Sequence, residues 1–443
     1  AESQASVITP LHYESATHSA LHPTVMHESE ATVLQALELI LRSMFRSEPA
    51  GSAGGGYEIS KPHTGTEIYF EASALLDAAL FIRREASPHL RSLSVQDLEG
   101  MLVDFMREAM DHLIFNWWNI PHNAPYADHV TDEEKLYLSN AMAGSPIFSP
   151  SNVLFLFPIK IAKVRTSFRS QSFLMLTPEE LPDDLAQWYD PDEIKPQCHP
   201  PTPMGVGAPF TGISCWLGLR SPLAEIALRH RNVILGAFAL LPRPLQRYSF
   251  SIATMPKGYM SFERAATFHS GDASTPALSE QLEIATADHF WLAALANQLT
   301  SDGERDRKSL LALQYFYRAW VKDPATRVAP LCGALDALFG DKDAATQAMV
   351  DAVGTQLGPE FDSARARKLA KLRAGVIHGG APNIYEASVY HKYYKEYRCD
   401  PIRDLELATA RCLQHEIFGG TLIEHAHPYA DFIGQYADIG AIL

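Results

Sequence analysis

The feature that most constrains this chain is the series of apolar stripes at helical spacing that fills its last third. Segments 279–299, 305–322, 326–339, 343–356, 361–378, 400–417 and 421–437 each repeat apolar residues every three to four positions, with Gly, Pro or Asp at the joints. Amphipathic helices separated by such short breaks cover their apolar faces by packing on one another. A helical bundle is therefore expected over residues 281–443.

Upstream, residues 30–45, 73–84 and 94–118 also read as helices, the last opened by Ser94 with Asp97 three residues on, a capping-box start. "SEPAGSAGGG" between the first two reads as a loop. Residues 1–145 thus form a mostly helical region. Composition then shifts: the Pro-rich breaks "SPIFSPSN" and "KPQCHPPTPMGVGAPF" bound short β-branched or aromatic runs. Strands are expected at 152–163, 171–176, 212–219, 231–240 and 247–253, with "SPLAEIALRH" as a helix between two of them. Residues 146–280 are a mixed α/β region with several short strands, and the fold of 120–280 is left open. The class is mainly α, α+β overall, and no internal repeat is present.

Hydrophobic residues make up 47% of the 443 and charged ones 20%, which excludes wholesale disorder. A formal net charge of −15 excludes a general DNA-coating role, so any nucleic-acid site has to be a local basic patch. The five cysteines show no CxxC pair, which speaks against structural zinc or a disulfide framework and fits a reducing cytoplasm. The opening "AESQASVITPLHYESATHSALHP" lacks the basic leader and apolar core of a secretory signal. No membrane span is expected either, because "NVLFLFPIKIAKV", the longest apolar run, is broken by Pro158, Lys160 and Lys163 and reads as a buried strand.

The basic patch is found in "FDSARARKLAKLRAGVIH", residues 361–378, where Arg365, Arg367, Lys368, Lys371 and Arg373 face the single acid Asp362. Two readings stand: a solvated helix face with cations complementing the macrodipole, or a phosphate-facing surface. Arg373 and His378 add chemistry to the charge. A guanidinium is a bidentate partner for phosphate, and a histidine gives and takes protons near neutral pH. RNA cleavage needs a base to deprotonate a 2'-hydroxyl, a cation on the phosphate and an acid for the leaving 5' oxygen, and such a scheme requires no metal and no cofactor. An i, i+5 pair is separated by roughly 140° around a helix and about 7.5 Å along it, so one copy does not converge on a substrate. Two copies across a two-fold axis would supply base, acid and two clamps.

"LRAGVIHGG" resembles the R-x4-H signature of the HEPN superfamily, and "LLALQYFYRAWVKDPATRVAPLCGALDALFGD", residues 310–341, is similar to the early helices of its Apea-like group. The resemblance covers about residues 300–420. It implies a metal-independent endoribonuclease that acts as a homodimer, with Arg373 and His378 catalytic, Asp336 supporting where relatives commonly carry glutamate, and Arg365, Arg367, Lys368 and Lys371 on RNA. Many relatives have a polar residue after the arginine where this chain has Ala374. The resemblance further implies a toxin or abortive-infection role, with the N-terminal region sensing a phage or cellular trigger. The alternative is a non-catalytic scaffold that binds RNA or protein.

Other motifs read more plainly. His425 and His427 stand at HxH spacing without further ligands, "GSAGGG" lacks the Lys of a phosphate loop, and "GISCWLG" with Ser214 and Cys215 reads as a buried strand. The histidines at 12, 18, 22, 27 and 63 are too irregular for a ligand set. "YHKYYKEYRC", residues 390–399, could stack bases or pack on the bundle.

Overall fold

The computed structural model describes residues 26–46, 58–61, 66–109, 120–121, 124–177, 179–180, 214–242, 257–262, 266–273, 281–320, 324–340, 345–358, 361–377 and 384–425. The chain forms two compact units, Ala1–Ser149 and Pro150–Leu443. The first holds helices α1 (Met26–Ser43), α2 (Ala72–Glu85), α3 (Val95–Ala109) and α4 (Asp132–Ala143). Val33, Leu37 and Ile40 of α1 bury with Leu75, Ala79 and Ile82 of α2 and Leu138 and Met142 of α4. The expected capping box is formed: the Ser94 N–H donates to Asp97 at 2.9 Å and the Asp97 N–H to Ser94 Oγ at 3.1 Å. A small antiparallel sheet was not foreseen, with β1 (Met44–Arg46), β2 (Glu58–Lys61) and β3 (Thr66–Phe70) in the order β1-β3-β2.

The second unit is built on a six-stranded antiparallel sheet. Its strands are β4 (Val153–Ile159), β6 (Phe168–Arg169), β7 (Phe173–Leu176), β8 (Cys215–Ser221), β9 (Lys257–Phe262) and β10 (Ala266–Ala273), in the order β10-β9-β4-β8-β7-β6. A separate parallel pair joins β5 (Ala162–Val164) to β11 (Leu282–Ile284). Val153, Phe155, Phe157 and Ile159 of β4 enter the large core shared with the helices, whereas Leu154 and Leu156 join Leu174, Leu176, Trp216, Met260 and Phe262 on the other face. Burial on both faces is why "NVLFLFPI" reads as an unbroken apolar run rather than an alternation.

Helices follow: α5 (Ala224–Phe238), α6 (His289–Thr300), α7 (Glu304–Trp320), α8 (Pro324–Phe339), α9 (Ala345–Leu357), α10 (Ser363–Ile377), α11 (Ser388–Tyr397) and α12 (Pro401–Phe418). The protein is thus mainly helical with a smaller sheet component. Among the described residues no helix is long and apolar enough to cross a membrane.

Three expectations are corrected. Residues 231–240 are not a strand; the helix expected over 221–230 continues to Phe238. Val233 through Phe238 are all buried, so the segment is apolar on every side and loses the periodicity that marks a helix. Helix does not begin at 279: Leu282–Ile284 pairs with β5, and α6 starts at His289. Nor is 280 the edge of a compact unit, since one continuous core runs from Val153 to Leu422. Gly236 shows how tightly the two parts join, because a Cβ there would lie 2.0 Å from the Leu313 carbonyl oxygen of α7. The strand expected at 247–253 lies outside the described residues, and of 421–437 only residues 421–425 are described, without helix.

Candidate functional site

Helix α10 carries the basic motif and sorts its cations by face. Asp362 caps it, accepting the Arg365 N–H at 2.7 Å. Ala366, Leu369, Ala370 and Leu372 are buried against neighbouring helices, which include α8, α9, α11 and α12, while Ser363, Ala364, Arg367, Lys371 and Ala374 are exposed.

Arg365 points inward. Its Nη2 donates to Asp404 Oδ2 at 2.5 Å and its Nε to Tyr393 Oη at 3.0 Å, and Tyr393 Oη also donates to Asp404 at 2.5 Å. The guanidinium lies 4.1 Å from the Phe361 ring centroid and 5.1 Å from that of Tyr397. Burial alone would lower its pKa, but the bonds to Tyr393 and Asp404 raise it. This cation ties α10 to α11 and α12, so the expected phosphate contact at Arg365 is revised to a structural one. Lys368 is partly committed too: Nζ pairs with Glu396 and lies 4.9 Å from the Tyr397 ring centroid, and the Glu396 bond raises its pKa. Arg367 and Lys371, one turn apart on the solvent face, have no carboxylate at ion-pair distance among the described residues.

Arg373 falls one turn beyond Leu369, on the inward side. Its Nη2 pairs with Asp336 Oδ1 of α8, so two residues singled out 37 positions apart in the sequence meet. The arginine side chain is 19% exposed and the aspartate 35%, so the pair is reached from the aspartate's side. Arg373 Nε is buried and has no hydrogen-bond partner among the described residues. Cys332, one turn before Asp336, is buried beneath them. Burial pushes its thiol up to about 12, with Asp336 adding to the rise and Arg373 opposing it, so it is a packing thiol rather than a nucleophile. The i, i+4 spacing of Cys332 and Asp336 could have disclosed this neighbour; nothing local in the sequence disclosed Asp404 or Tyr393 as partners of Arg365. His378, one residue past the end of α10 in the chain, lies outside the described residues, as do Gly379 and Gly380.

The remaining motifs are occupied structurally. His425 Nε2 lies 3.1 Å from Asp288 Oδ1, which also accepts from Trp291 Nε1 at 3.0 Å, and the His425 N–H donates to the Leu241 carbonyl at 2.6 Å. His427 lies outside the described residues. Among those described, no three His, Cys, Asp or Glu gather as a ligand set. Ser214 Oγ donates to the Ile159 and Ala162 carbonyls at 3.1 and 2.5 Å, and burial raises the Cys215 pKa. In the tyrosine-rich helix Tyr393 is buried and Tyr394 exposed.

Comparison with protein-family models, with curated proteins and with solved structures finds no match for this chain. The site has to be read from its own chemistry.

Proposed function

We propose that the C-terminal helices form a HEPN-like bundle and that the protein is a metal-independent RNA endonuclease acting as a homodimer. The observation that supports this most is the Arg373–Asp336 pair, which draws the motif arginine from α10 onto the acid of α8 at the end of the helix that leads to His378. A carboxylate beside a guanidinium fixes its plane, and a fixed guanidinium can meet a phosphate without reorganising. Arg367 and Lys371, which have no carboxylate partner among the described residues, add positive charge on the exposed face of the same helix, suited to backbone phosphates away from the scissile bond.

In this reading Arg373 holds the scissile phosphate. His378 takes the proton of the 2'-hydroxyl, whose oxygen attacks phosphorus. The bond to the 5' oxygen breaks, and that oxygen takes a proton from the protonated histidine of the second copy. The products are a 2',3'-cyclic phosphate and a 5'-hydroxyl. The unit Ala1–Ser149 would sense a trigger or restrain the nuclease in a cytoplasmic defence or toxin role, a suggestion that rests on the resemblance alone.

The competing reading is a scaffold that binds RNA or protein without cutting it. The inward turn of Arg365 and the pairing of Lys368 favour it, since both reduce the positive surface available to a substrate. A cleavage assay on total RNA with EDTA present separates the two. Under the nuclease reading His378→Ala lowers turnover on the order of a hundredfold or more while RNA affinity is nearly kept. Arg373→Ala harms both, and replacing Arg367 and Lys371 together weakens binding and flattens its salt dependence while cutting largely survives. Equal cleavage by His378→Ala and the unmodified protein, with chemistry rate-limiting, would leave the scaffold reading in place.

A further inference from the structure

The tyrosine-rich helix α11 carries more than its packing needs. Of its tyrosines, Tyr393 is buried and Tyr390 and Tyr397 are partly buried against the core, so the bundle accounts for all three. The remaining one, Tyr394, is 50% exposed. His391, Lys395 and Arg398 are exposed beside it. These four positions are i, i+3, i+4 and i+7, so they line one outward face of the helix. Rings continue along its border: the Tyr390 ring centroid lies 5.8 Å from that of His391 and 5.3 Å, edge-on, from that of Tyr385, which is exposed in the turn Ile384–Glu386.

Arg398 holds its place on this face against the preference of the backbone. It ends α11 with φ 56° and ψ 23°, and among the described residues it is the only non-glycine with positive φ. Helix α12 ends in the same conformation on Gly419, φ 57°, where the missing Cβ removes the steric penalty. Packing gives no reason for an arginine at such a position, because Arg398 is exposed and has no ion pair among the described residues. The same holds for Lys392 and Lys395. The acids nearest in the chain stand off the stripe: Glu396 pairs with Lys368 of α10, Asp400 caps α12 by accepting the Ile402 N–H at 2.9 Å, and Glu386 lies in the turn before the helix. On a chain of net charge −15, the outer side of α11 therefore gathers cations around an exposed ring.

We infer that the outer face of α11 is a platform for single-stranded RNA, with a base stacked on Tyr394 and the adjoining phosphates held by Lys395 and Arg398. An aromatic face accepts any base, and cations beside it take the backbone, a combination that holds single strands without reading sequence. The bases of a duplex are stacked on one another and leave the ring little to receive. The inference rests on RNA as the ligand of the proposed function and adds the form of that RNA; it does not depend on Arg373 or His378. Lys368 of α10 pairs with Glu396 and packs on the Tyr397 ring, so the platform is fixed to the helix that carries Arg373.

The test is fluorescence anisotropy of the full-length protein with an unstructured RNA of about 12 nucleotides whose 2' oxygens are methylated, and with the duplex of the same strand. Methylation blocks the nucleophile, so binding is read whether or not the protein cuts. The single strand should bind more tightly than the duplex. Tyr394→Ser should weaken the single strand about tenfold and leave the duplex unchanged, whereas Tyr394→Phe, which keeps the ring, should bind as the unmodified protein does. Arg398→Gly should weaken single-strand binding and lower the slope of log affinity against log salt by about 0.7. Its thermal midpoint should stay or rise, because glycine suits the left-handed position, which separates a lost contact from lost folding. Equal single-strand binding by Tyr394→Ser and the unmodified protein, Tyr394→Phe as weak as Tyr394→Ser, preference for the duplex, or no binding of the single strand overturns the platform. Cleavage of ordinary RNA alongside such a result leaves the nuclease reading standing, and platform binding without any cleavage of ordinary RNA does the reverse.

Discussion

Replacing Gly236 by alanine tests whether the middle segment and the bundle are one body. A Cβ on residue 236 would lie 2.0 Å from the Leu313 oxygen and 2.6 Å from its carbonyl carbon, whereas ordinary contact begins near 3.4 Å. Both obstacles are backbone atoms, so no side chain can swing aside. Helices α5 and α7 must part by about 1.4 Å along that line. A gap of that size forfeits a large part of the dispersion energy along the contact, which also holds Phe238, Leu313 and Phe316. Overpacking of this kind destabilises by about 1–3 kcal/mol, and the conflict with backbone puts this case at the upper end. The better helix propensity of alanine offsets about 1 kcal/mol. The net loss is about 2 kcal/mol, or roughly 0.7 M in urea midpoint for an m-value of about 3 kcal/mol/M. Tryptophan emission reports the transition, because Trp216, Trp291 and Trp320 are buried in this unit. Gly354 of α9, in the same unit, is the control: a Cβ there meets only the Phe361 carbonyl oxygen, at 3.9 Å, so Gly354→Ala should stabilise by up to about 1 kcal/mol. If Gly236→Ala shifts the midpoint upward as Gly354→Ala does, the close approach of α5 to α7 is wrong.

Two further outcomes follow from buried polar groups. Arg365→Met should cost about 3 kcal/mol in urea unfolding, since among the described residues it leaves the buried Asp404 carboxylate with Tyr393 as its remaining side-chain partner; weakened RNA binding at unchanged stability would instead make Arg365 a surface contact. Burial raises the Asp288 pKa, but bonds from His425, the Ala285 N–H and Trp291 outweigh it and hold the carboxyl below its usual range. That stabilisation is present above the unfolded carboxylate's value of about 3.9 and is lost as pH falls through the folded one. Asp288→Asn should therefore be less stable than the unmodified protein by about 1–2 kcal/mol near pH 7, and the gap should close in acid; a gap constant from neutral to acid pH would rule the linkage out.

The sequence by itself determined the elements whose signal is local. The helices from 305 to 377 and from 400 to 418 carry an apolar stripe one residue can follow to the next, and Ser94 and Asp97 bond to each other across a single turn. "NVLFLFPI" was legible as a buried strand because its length and its breaks exclude a membrane helix. Where an element is buried on every side, as in 231–238, hydrophobicity loses its period, and the choice between strand and helix passed to the packing of α5 on α7 and the sheet. The candidate site divides in the same way. Arginines and lysines of one helix look alike in sequence, since charge and spacing say nothing about which face the core will claim. Only the tertiary structure turned Arg365 onto Asp404 and Arg373 onto Asp336, and left Arg367 and Lys371 in solvent. The physical reason is distance along the chain: the acids that select among these cations lie 39 and 37 residues away, on helices whose positions are set by a core to which every part of the unit contributes.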